Sequence, residues 1–316
     1  MCLVALALDD SRRFPFVVAA NRDEFFARPA NRLAWWTHAD GGPEILGGRD
    51  LSAGGTWMGL TAAGRFALVT NVRRPQVPDP EAPSRGEIVA SWLRTEQRPD
   101  QFWMQTSLSG YAPFNLIAAD FRRGDCFWAT NERALPHRIE RGIFGLSNAA
   151  LDTPWPKVRG LKAQVAQALK EAESVDMLAD RLFAALADET PAPDDELPAT
   201  GIDRELERVL SPAFIRTADG SYGTRCSTVV VTERVRRQLV THVFERTFTQ
   251  EPGVALLRRA RLADWPPRYA DRSHGPVEVS AVAESALDAE AVAAGTELAI
   301  RRTRHRTLLR PARRSA

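Results

Sequence analysis

The first 24 residues, MCLVALALDDSRRFPFVVAANRDE, contain two apolar runs separated by a polar turn. Cys2–Leu8 is a run of seven apolar residues, and the turn signal Asp9-Asp10-Ser11 follows it directly. A second apolar run covers 14–20. Two short apolar runs that flank a turn predict a β-hairpin. The polar tetrad Asn21-Arg22-Asp23-Glu24 then lies where the second strand ends, beside the start of the first.

Three further hairpins follow the same pattern. Pairs of apolar runs with a turn between them occupy 56–60 and 65–70, 114–119 and 126–130, and 226–232 and 238–248. Helical periodicity appears between the hairpins, after the capping-box pair Ser84 and Glu87 and over 158–169 and 177–186. Antiparallel hairpins interleaved with helices predict an α+β protein. Two sheets covered by helices on both outer faces would satisfy this pattern.

The composition is that of a globular protein without a strong charge preference. Of 316 residues, 44% are hydrophobic and 26% are charged, and the net charge of +2 predicts no strongly charged partner. No window approaches the roughly 18 apolar residues of a membrane span. The apolar run at the N-terminus lacks the flanking residues of a signal peptide, because nothing basic precedes it and two acids follow it. We therefore expect a cytoplasmic protein, and the three cysteines, which show no disulfide or metal spacing, agree with a reducing compartment.

The strand pattern weakens after residue 250. We expect one domain over 1–250 and a C-terminal extension over 251–316 that is partly disordered. Its end, 301–316, contains seven arginines and no acid. Such a run can contact nucleic acid or an anionic membrane, but it is more often a solvated, disordered tail. No nucleic-acid partner is therefore expected.

Several common functional motifs are absent from the sequence. The five histidines are scattered, with no His-x-x-x-His or Cys-x-x-Cys spacing, so no metal site is predicted. The P-loop, the dinucleotide-binding turn and the Gly-x-Ser-x-Gly motif are missing as well. These absences argue against the commonest nucleotide-binding and serine-hydrolase functions.

Cys2 holds an unusual position directly after the initiator methionine. Methionine aminopeptidase normally removes Met1 ahead of a residue this small, which would leave Cys2 with both a thiol and a free α-amine. The amine titrates near ~7.7–8.0 and a free thiol near ~8.5. The amine can therefore accept the thiol proton at neutral pH, which suits an N-terminal nucleophile. The alternative interpretation is a small buried strand residue, since free Cys is often buried.

Five short motifs occur in an order that is similar to one known family. They are Asn21-Arg22-Asp23-Glu24 with Arg28-Pro29 after it, Gly54-Gly55-Thr56-Trp57-Met58-Gly59, Thr70-Asn71-Val72-Arg73, Gly145-Leu146-Ser147-Asn148 and Tyr222-Gly223-Thr224-Arg225-Cys226-Ser227. Headed by Met-Cys, the set resembles the NRDE family, also called transport and Golgi organisation protein two. The resemblance covers residues 1–250 and depends on the order of the five motifs.

The resemblance implies a four-layer αββα sandwich of the N-terminal-nucleophile (Ntn) hydrolase type with antiparallel sheets. It also places the chain near the cysteine amidases that include penicillin V acylase and bile salt hydrolase. By this resemblance Cys2 is the nucleophile, and Asp23 holds its amine or thiol in position. Asn71 and Asn148 offer side-chain amide donors to the acyl oxygen, and Arg225 stabilises charge near the thiolate.

Further residues of these motifs are expected to bind substrate or to support the site: Asn21, Arg22, Glu24, Trp57 and Arg73. Arg22 departs from the amidase pattern, in which an Arg lies three residues before the Asp, where this chain has Ala20. Neighbouring residues on a strand point to opposite faces, so we expect Arg22, directly before Asp23, not to reach Cys2. All these residues also have structural interpretations: Asn bonded to loop backbone, Trp in the core and Arg in an ordinary ion pair.

Two functions are compatible with the sequence. The first is a cysteine Ntn hydrolase that cleaves an amide, or a thioester, of a small acyl substrate through an acyl-enzyme at Cys2. The second is a non-hydrolytic binding or trafficking protein for haem or acyl-lipids, since members of the family have been linked to both. No cofactor is predicted for the hydrolase, and haem is a ligand only in the second function. The sequence does not address the oligomeric state.

Overall fold

The computed structural model describes residues 2–267, except 77, 78, 80, 134 and 251–254, and also 280 and 282–287. The described residues form fourteen strands: β1 (Cys2–Leu8), β2 (Phe16–Phe25), β3 (Ala30–Trp36), β4 (Ile45–Asp50), β5 (Met58–Thr61), β6 (Arg65–Asn71), β7 (Phe114–Asp120), β8 (Asp125–Thr130), β9 (His137–Arg138), β10 (Gly142–Leu146), β11 (Tyr222–Val235), β12 (Gln238–Phe248), β13 (Ala255–Ala263) and β14 (Ala283–Leu287). They also form five α-helices: α1 (Arg85–Arg94), α2 (Pro99–Ser107), α3 (Pro156–Glu171), α4 (Val175–Leu186) and α5 (Arg204–Val209).

The strands form two antiparallel sheets of seven strands each. The spatial order is β10-β1-β2-β11-β12-β13-β14 in the first sheet and β3-β4-β5-β6-β7-β8-β9 in the second. The predicted hairpin at the N-terminus is present, with Leu8 opposite Phe16 and Cys2 opposite Arg22. The other three predicted hairpins are the pairs β5/β6, β7/β8 and β11/β12.

Helices cover the outer face of each sheet. One apolar cluster fills the space between the two sheets, a second joins α3 and α4 to the first sheet, and a third joins α1 and α2 to the second sheet. This arrangement confirms the predicted α+β fold, a four-layer αββα sandwich with antiparallel sheets. No helix in the described part of the chain is both long and apolar enough to cross a bilayer.

The helix starts follow local sequence signals, with one exception. Pro156 opens α3, where a missing N–H costs nothing, and Ser174 Oγ accepts from the Met177 N–H at the start of α4. Ser84 precedes α1, but its side chain makes no capping bond. Glu87 does not complete the predicted capping box, because its carboxylate accepts from Ser91 Oγ at 2.9 Å instead.

The packed fold continues beyond residue 250. Strand β13 pairs with β12 in the first sheet, so the expected domain boundary falls between two adjacent strands. Trp265 is fully buried between the sheets, and its Nε1 donates to the Thr61 carbonyl at 2.8 Å. The structure therefore extends the domain past the expected boundary, because these residues complete the core. The arginine-rich end, 301–316, lies outside the described residues.

Candidate active site

Cys2 lies at the head of β1, on the face of the first sheet that packs against the second sheet. Side chains alternate along this strand: Val4 and Leu6 join the core between the sheets, whereas Leu3 and Ala5 pack under α3 and α4. Cys2 therefore shares the face of Val4 and Leu6. Only 7% of its surface is exposed. The thiol-bearing residue thus lies between the two sheets, where β1 begins.

Arg22 lies directly opposite Cys2 on the neighbouring strand. Residues that oppose each other in an antiparallel pair point to the same face, so both side chains occupy the space between the sheets. Arg22 is buried, and its Nη2 lies 3.6 Å from Glu24 Oε2. The spacing to Asp23 predicts that Arg22 does not reach Cys2 in the amidase manner, but the pairing of β1 with β2 puts Arg22 on the same face as Cys2. Strand pairing, not the spacing to Asp23, decides which face the two residues share.

Asp23 points to the other face of β2, toward the layer of α3. Its Oδ1 accepts from Thr224 Oγ1 at 2.7 Å. On α3, the buried Lys157 donates from Nζ to the Leu210 carbonyl at 2.8 Å. Burial raises the pKa of Asp23, and the positive charge of Lys157 opposes this shift. Burial lowers the pKa of Lys157 to about 8, and Asp23 in turn opposes that shift. A buried acid and a buried base therefore lie behind the nucleophile strand.

Burial also dominates the ionisation of the Cys2 thiol. It raises the pKa of Cys2, and the Asp23 carboxylate raises it further. The Arg22 charge and the backbone N–H of Asp23 lower the same pKa. Since the thiolate is the nucleophilic form of cysteine, Cys2 needs a nearby base to react at neutral pH.

Asn71 and Asn148 meet where β6 and β10 end. Asn148 Nδ2 donates to Asn71 Oδ1 at 2.9 Å and to the Asn71 carbonyl at 3.1 Å. A side-chain amide carries two N–H donors, so both donors of Asn148 are directed at Asn71. In the described part of the chain, Asn71 Nδ2 donates to no acceptor. The prediction of two amide donors is thereby corrected: Asn148 orients Asn71, and Asn71 Nδ2 is the available donor.

Ser147 ties this pair to β1. Its Oγ donates to the Cys2 carbonyl at 3.0 Å and lies 3.1 Å from Asn148 Oδ1. Its own carbonyl accepts from Thr70 Oγ1 at 2.7 Å. These buried hydrogen bonds join the ends of β1, β6 and β10, which brings Asn71 and Asn148 to Cys2.

A buried ion pair holds the segment that follows Asn71. The backbone N–H of Arg73 donates to the Asn148 carbonyl at 2.7 Å. Arg73 Nη1 pairs with Glu207 on α5, and the two side chains are 4% and 2% exposed. The guanidinium also stacks over Trp155, with 4.8 Å between Cζ and the ring centroid. Arg73 therefore supports the site by holding Asn148 in position.

Two other predicted residues lie around the site rather than in it. Asn21 is fully buried and faces the helices, where its Nδ2 donates to the carbonyls of Leu186 and Ala213 at 2.8 Å each. Trp57 is half-buried against the core between the sheets, and its carbonyl accepts from the Val69 N–H at 2.9 Å. Both residues support the frame of the site.

Arg225, a predicted catalytic residue, is hydrogen-bonded to the loop that follows β2. Its Nη1 donates to the carbonyls of Phe25, Phe26 and Arg28, at 2.7, 3.3 and 3.0 Å. The pairing of β11 with β2 shifts register between Thr224 and Cys226. Arg225 is the extra residue of this bulge, and a bulge redirects a side chain. Arg225 therefore fixes the loop after β2, and Arg22 is the arginine beside Cys2.

Four polar residues of this region are not among the predicted site residues: Lys157, Glu207, Arg85 and Tyr222. Lys157, Glu207 and Arg85 lie on helices, where Lys, Glu and Arg are ordinarily surface residues. Tyr222 opens the last motif, but it was not assigned to the site. Burial raises the pKa of Tyr222 well above its usual range, and the nearby Asp23 and Cys2 add to the shift.

Comparison with known proteins supports the motif assignment. Residues 1–250 match the profile of the family described as Transport and Golgi organisation 2. The chain belongs to this family. The Transport and Golgi organization protein 2 homolog of Bos taurus is 34% identical over 253 residues, which cover 74% of this chain and 89% of the relative. The Homo sapiens homolog is 32% identical over 251 residues, with the same two shares. The predicted family membership is confirmed.

One solved structure that resembles the chain is the N-acylethanolamine-hydrolyzing acid amidase ortholog of Caenorhabditis elegans. It superposes with a TM-score of 0.42 at 11% sequence identity, covering 73% of this chain and 92% of the worm protein. The hydrolysis in its name is an activity of the worm protein.

Two glycines of the family motifs mark close approaches that assemble the site. A Cβ on Gly55 would lie 2.5 Å from the Gly86 carbonyl carbon at the start of α1. A Cβ on Gly145 would lie 2.5 Å from Val158 Cγ1 on α3. Real Cβ atoms do not approach other carbons this closely, so the two motifs bring one helix from each outer layer against the sheets.

Proposed function

We propose that the chain is a cysteine Ntn hydrolase, which cleaves an amide or thioester bond of a small acyl substrate through an acyl-enzyme at Cys2. The observation that carries the proposal is the grouping of polar residues at the head of β1. Arg22 faces Cys2 from the neighbouring strand, Asp23 and Lys157 lie behind it, and the hydrogen-bonded amide of Asn71 lies at the adjoining strand ends.

The reaction begins once Met1 has been removed. The α-amine of Cys2 accepts the thiol proton, and the sulfur attacks the substrate carbonyl carbon. A C–S bond forms, and an electron pair of the C=O bond moves to the oxygen. The C=O bond then re-forms, the C–N bond of an amide or the C–S bond of a thioester substrate breaks, and the ammonium proton passes to the leaving amine or thiolate. Water then attacks the thioester of the acyl-enzyme with the α-amine again as base. A C–O bond forms, the C–S bond to Cys2 breaks, and the sulfur takes the proton from the ammonium, which releases the acid and restores the thiol.

The surrounding residues have separate roles in this proposal. Asn71 Nδ2 donates to the developing oxyanion, a contribution that is worth ~10²–10³ in rate in other acyl-transfer enzymes. Arg22 stabilises the thiolate, since its charge lowers the pKa of Cys2. Asp23 would hold the α-amine, and Lys157 balances the charge of Asp23 in the buried layer.

The proposal is tested by screening wild type and Cys2→Ala against a library of acyl amides and thioesters. We expect wild type to release the acid from at least one member, and Cys2→Ala to release none. Cys126→Ala is the matched control, because Cys126 is a buried free cysteine on β8 whose pKa burial raises to about 12. It should retain full activity. Equal turnover by wild type and Cys2→Ala across the library would refute the hydrolase.

A further inference from the structure

Arg85, the first residue of α1, is fixed along only one edge of its guanidinium. Its Nε lies 3.3 Å from the Ala112 carbonyl and 3.1 Å from the Pro113 carbonyl, and it donates to both. Among the residues that the structure describes, none forms a hydrogen bond or ion pair with Arg85 Nη1 or Nη2. Since a guanidinium carries its N–H donors in a rigid fork, the edge formed by the two Nη groups is available to a ligand.

The anchoring carbonyls place Arg85 next to the site. The Pro113 carbonyl also accepts from the Val72 N–H at 3.1 Å, and Val72 directly follows Asn71. The start of α1 is fixed as well, because the Thr56 N–H donates to the Gly86 carbonyl at 3.1 Å. The backbone at the start of α1 and the Nε edge of the guanidinium are therefore held before any ligand arrives.

Electrostatic effects also connect Arg85 with the groups at the head of β1 and the end of β2. Burial lowers the pKa of Arg85, and the negative charges that raise it are those of the Cys2 thiolate and the Glu24 carboxylate. Glu24 is itself engaged, since its Oε1 accepts from the Phe25 N–H at 2.9 Å and its Oε2 lies 3.6 Å from Arg22 Nη2. While the Cys2 thiol is protonated, Arg22 and Arg85 together outweigh the charge of Glu24, so this side of the site then carries an excess of positive charge.

We infer that Arg85 binds an anionic oxyacid group of the substrate, a carboxylate, sulfonate or phosphate, close to the bond that Cys2 attacks. A guanidinium fork matches two oxygens of such a group and binds them bidentately. The substrate is then an acyl compound with a negative charge near its scissile bond rather than an uncharged amide. The inference rests on the proposed function, because it names the substrate class of the same site.

The test compares two alkylating reagents that differ in charge, iodoacetate and iodoacetamide. In both reactions the Cys2 thiolate forms a C–S bond and iodide leaves. The ratio of the two rates therefore reports how strongly the site attracts the carboxylate of iodoacetate. The rates are followed by the mass of the Cys2 peptide. We expect the iodoacetate-to-iodoacetamide ratio of wild type to exceed that of N-acetylcysteine. Arg85→Gln should lower it by about tenfold at low salt, the scale of electrostatic steering.

The matched control is Arg138→Gln, which removes the same charge from an exposed arginine that pairs with Asp125. Its ratio should equal that of wild type. If Cys2 reacts with both reagents and Arg85→Gln leaves the ratio unchanged, the inference is overturned and the proposed function stands. If Cys2 reacts with neither reagent, the proposed function is overturned and the inference with it. If Arg85→Gln does not fold, the wild-type ratio decides, and a value equal to that of N-acetylcysteine overturns the inference.

Discussion

The buried pair of Arg73 and Glu207 provides the sharpest stability prediction. Glu207 is 2% exposed, and its carboxylate also accepts from the Thr200 N–H at 3.1 Å. Glu207→Gln keeps the size of the side chain but removes the charge that balances a buried guanidinium. Removing one partner of a buried ion pair costs about 3–5 kcal/mol, because the other charge stays in the protein without its counterion. We expect Glu207→Gln to lower the free energy of unfolding by about that amount.

The assay is urea unfolding followed by tryptophan fluorescence at fixed pH. Glu196→Gln is the matched control, because Glu196 pairs with Arg159 at the surface, where the side chains are 41% and 57% exposed. It should change the free energy of unfolding by less than about 1 kcal/mol. A double variant, Arg73→Met with Glu207→Leu, should recover much of the loss, since apolar pairs often replace buried ion pairs. A Glu207→Gln loss no larger than that of the control would refute the reasoning.

Three further predictions concern the core and the site. Burial raises the pKa of Glu245 above its ordinary value of 4.5. Ionisation of Glu245 near neutral pH therefore costs free energy in the folded state but not in the unfolded state. Glu245→Gln should be more stable than wild type at pH 7, and the difference in free energy of unfolding should shrink as the pH falls toward 4.5. Urea unfolding across this pH range measures that difference, and a difference that does not change with pH would contradict the raised pKa of Glu245. Asn71→Ala should lower kcat on any substrate that the library identifies by ~10²–10³, and Asn148→Ala should cost less because it only loosens Asn71; the reverse order in the steady-state rates would contradict the donor assignment. Gly55→Ala places a Cβ 2.5 Å from the Gly86 carbonyl carbon and should lower the free energy of unfolding, measured by thermal unfolding, by about 1–3 kcal/mol. A variant as stable as wild type would show that the backbone moves apart at this contact without loss of stability.

Much of the fold is predictable from local signals. The bounds of β1, Cys2–Leu8, coincide with the apolar run, because the Asp9-Asp10 turn stops the strand where the polar residues begin. The second strand is longer than its apolar run and continues through Phe25. It does so because β11 pairs with its polar end, Thr224 opposite Asp23. A local pattern carries no information on such a distant partner.

The site is predictable only in part, for the same reason. Cys2 and Asp23 follow from the N-terminal position and the family motifs. Arg22 was misassigned because the face it shares with Cys2 depends on strand pairing. Lys157 and Glu207 give no local signal, since each becomes part of the buried layer only through partners far away in the chain, as Glu207 does through Arg73, 134 residues before it.

The most direct test of the central claim is the mass of the N-terminal peptide of the full chain, expressed in a common bacterial host. The proposed reaction needs the α-amine of Cys2 as its base. It therefore predicts a peptide that begins at Cys2 with a free amine. A peptide that retains Met1 would leave Cys2 with an amide nitrogen, which cannot accept the thiol proton, and would contradict the nucleophile assignment.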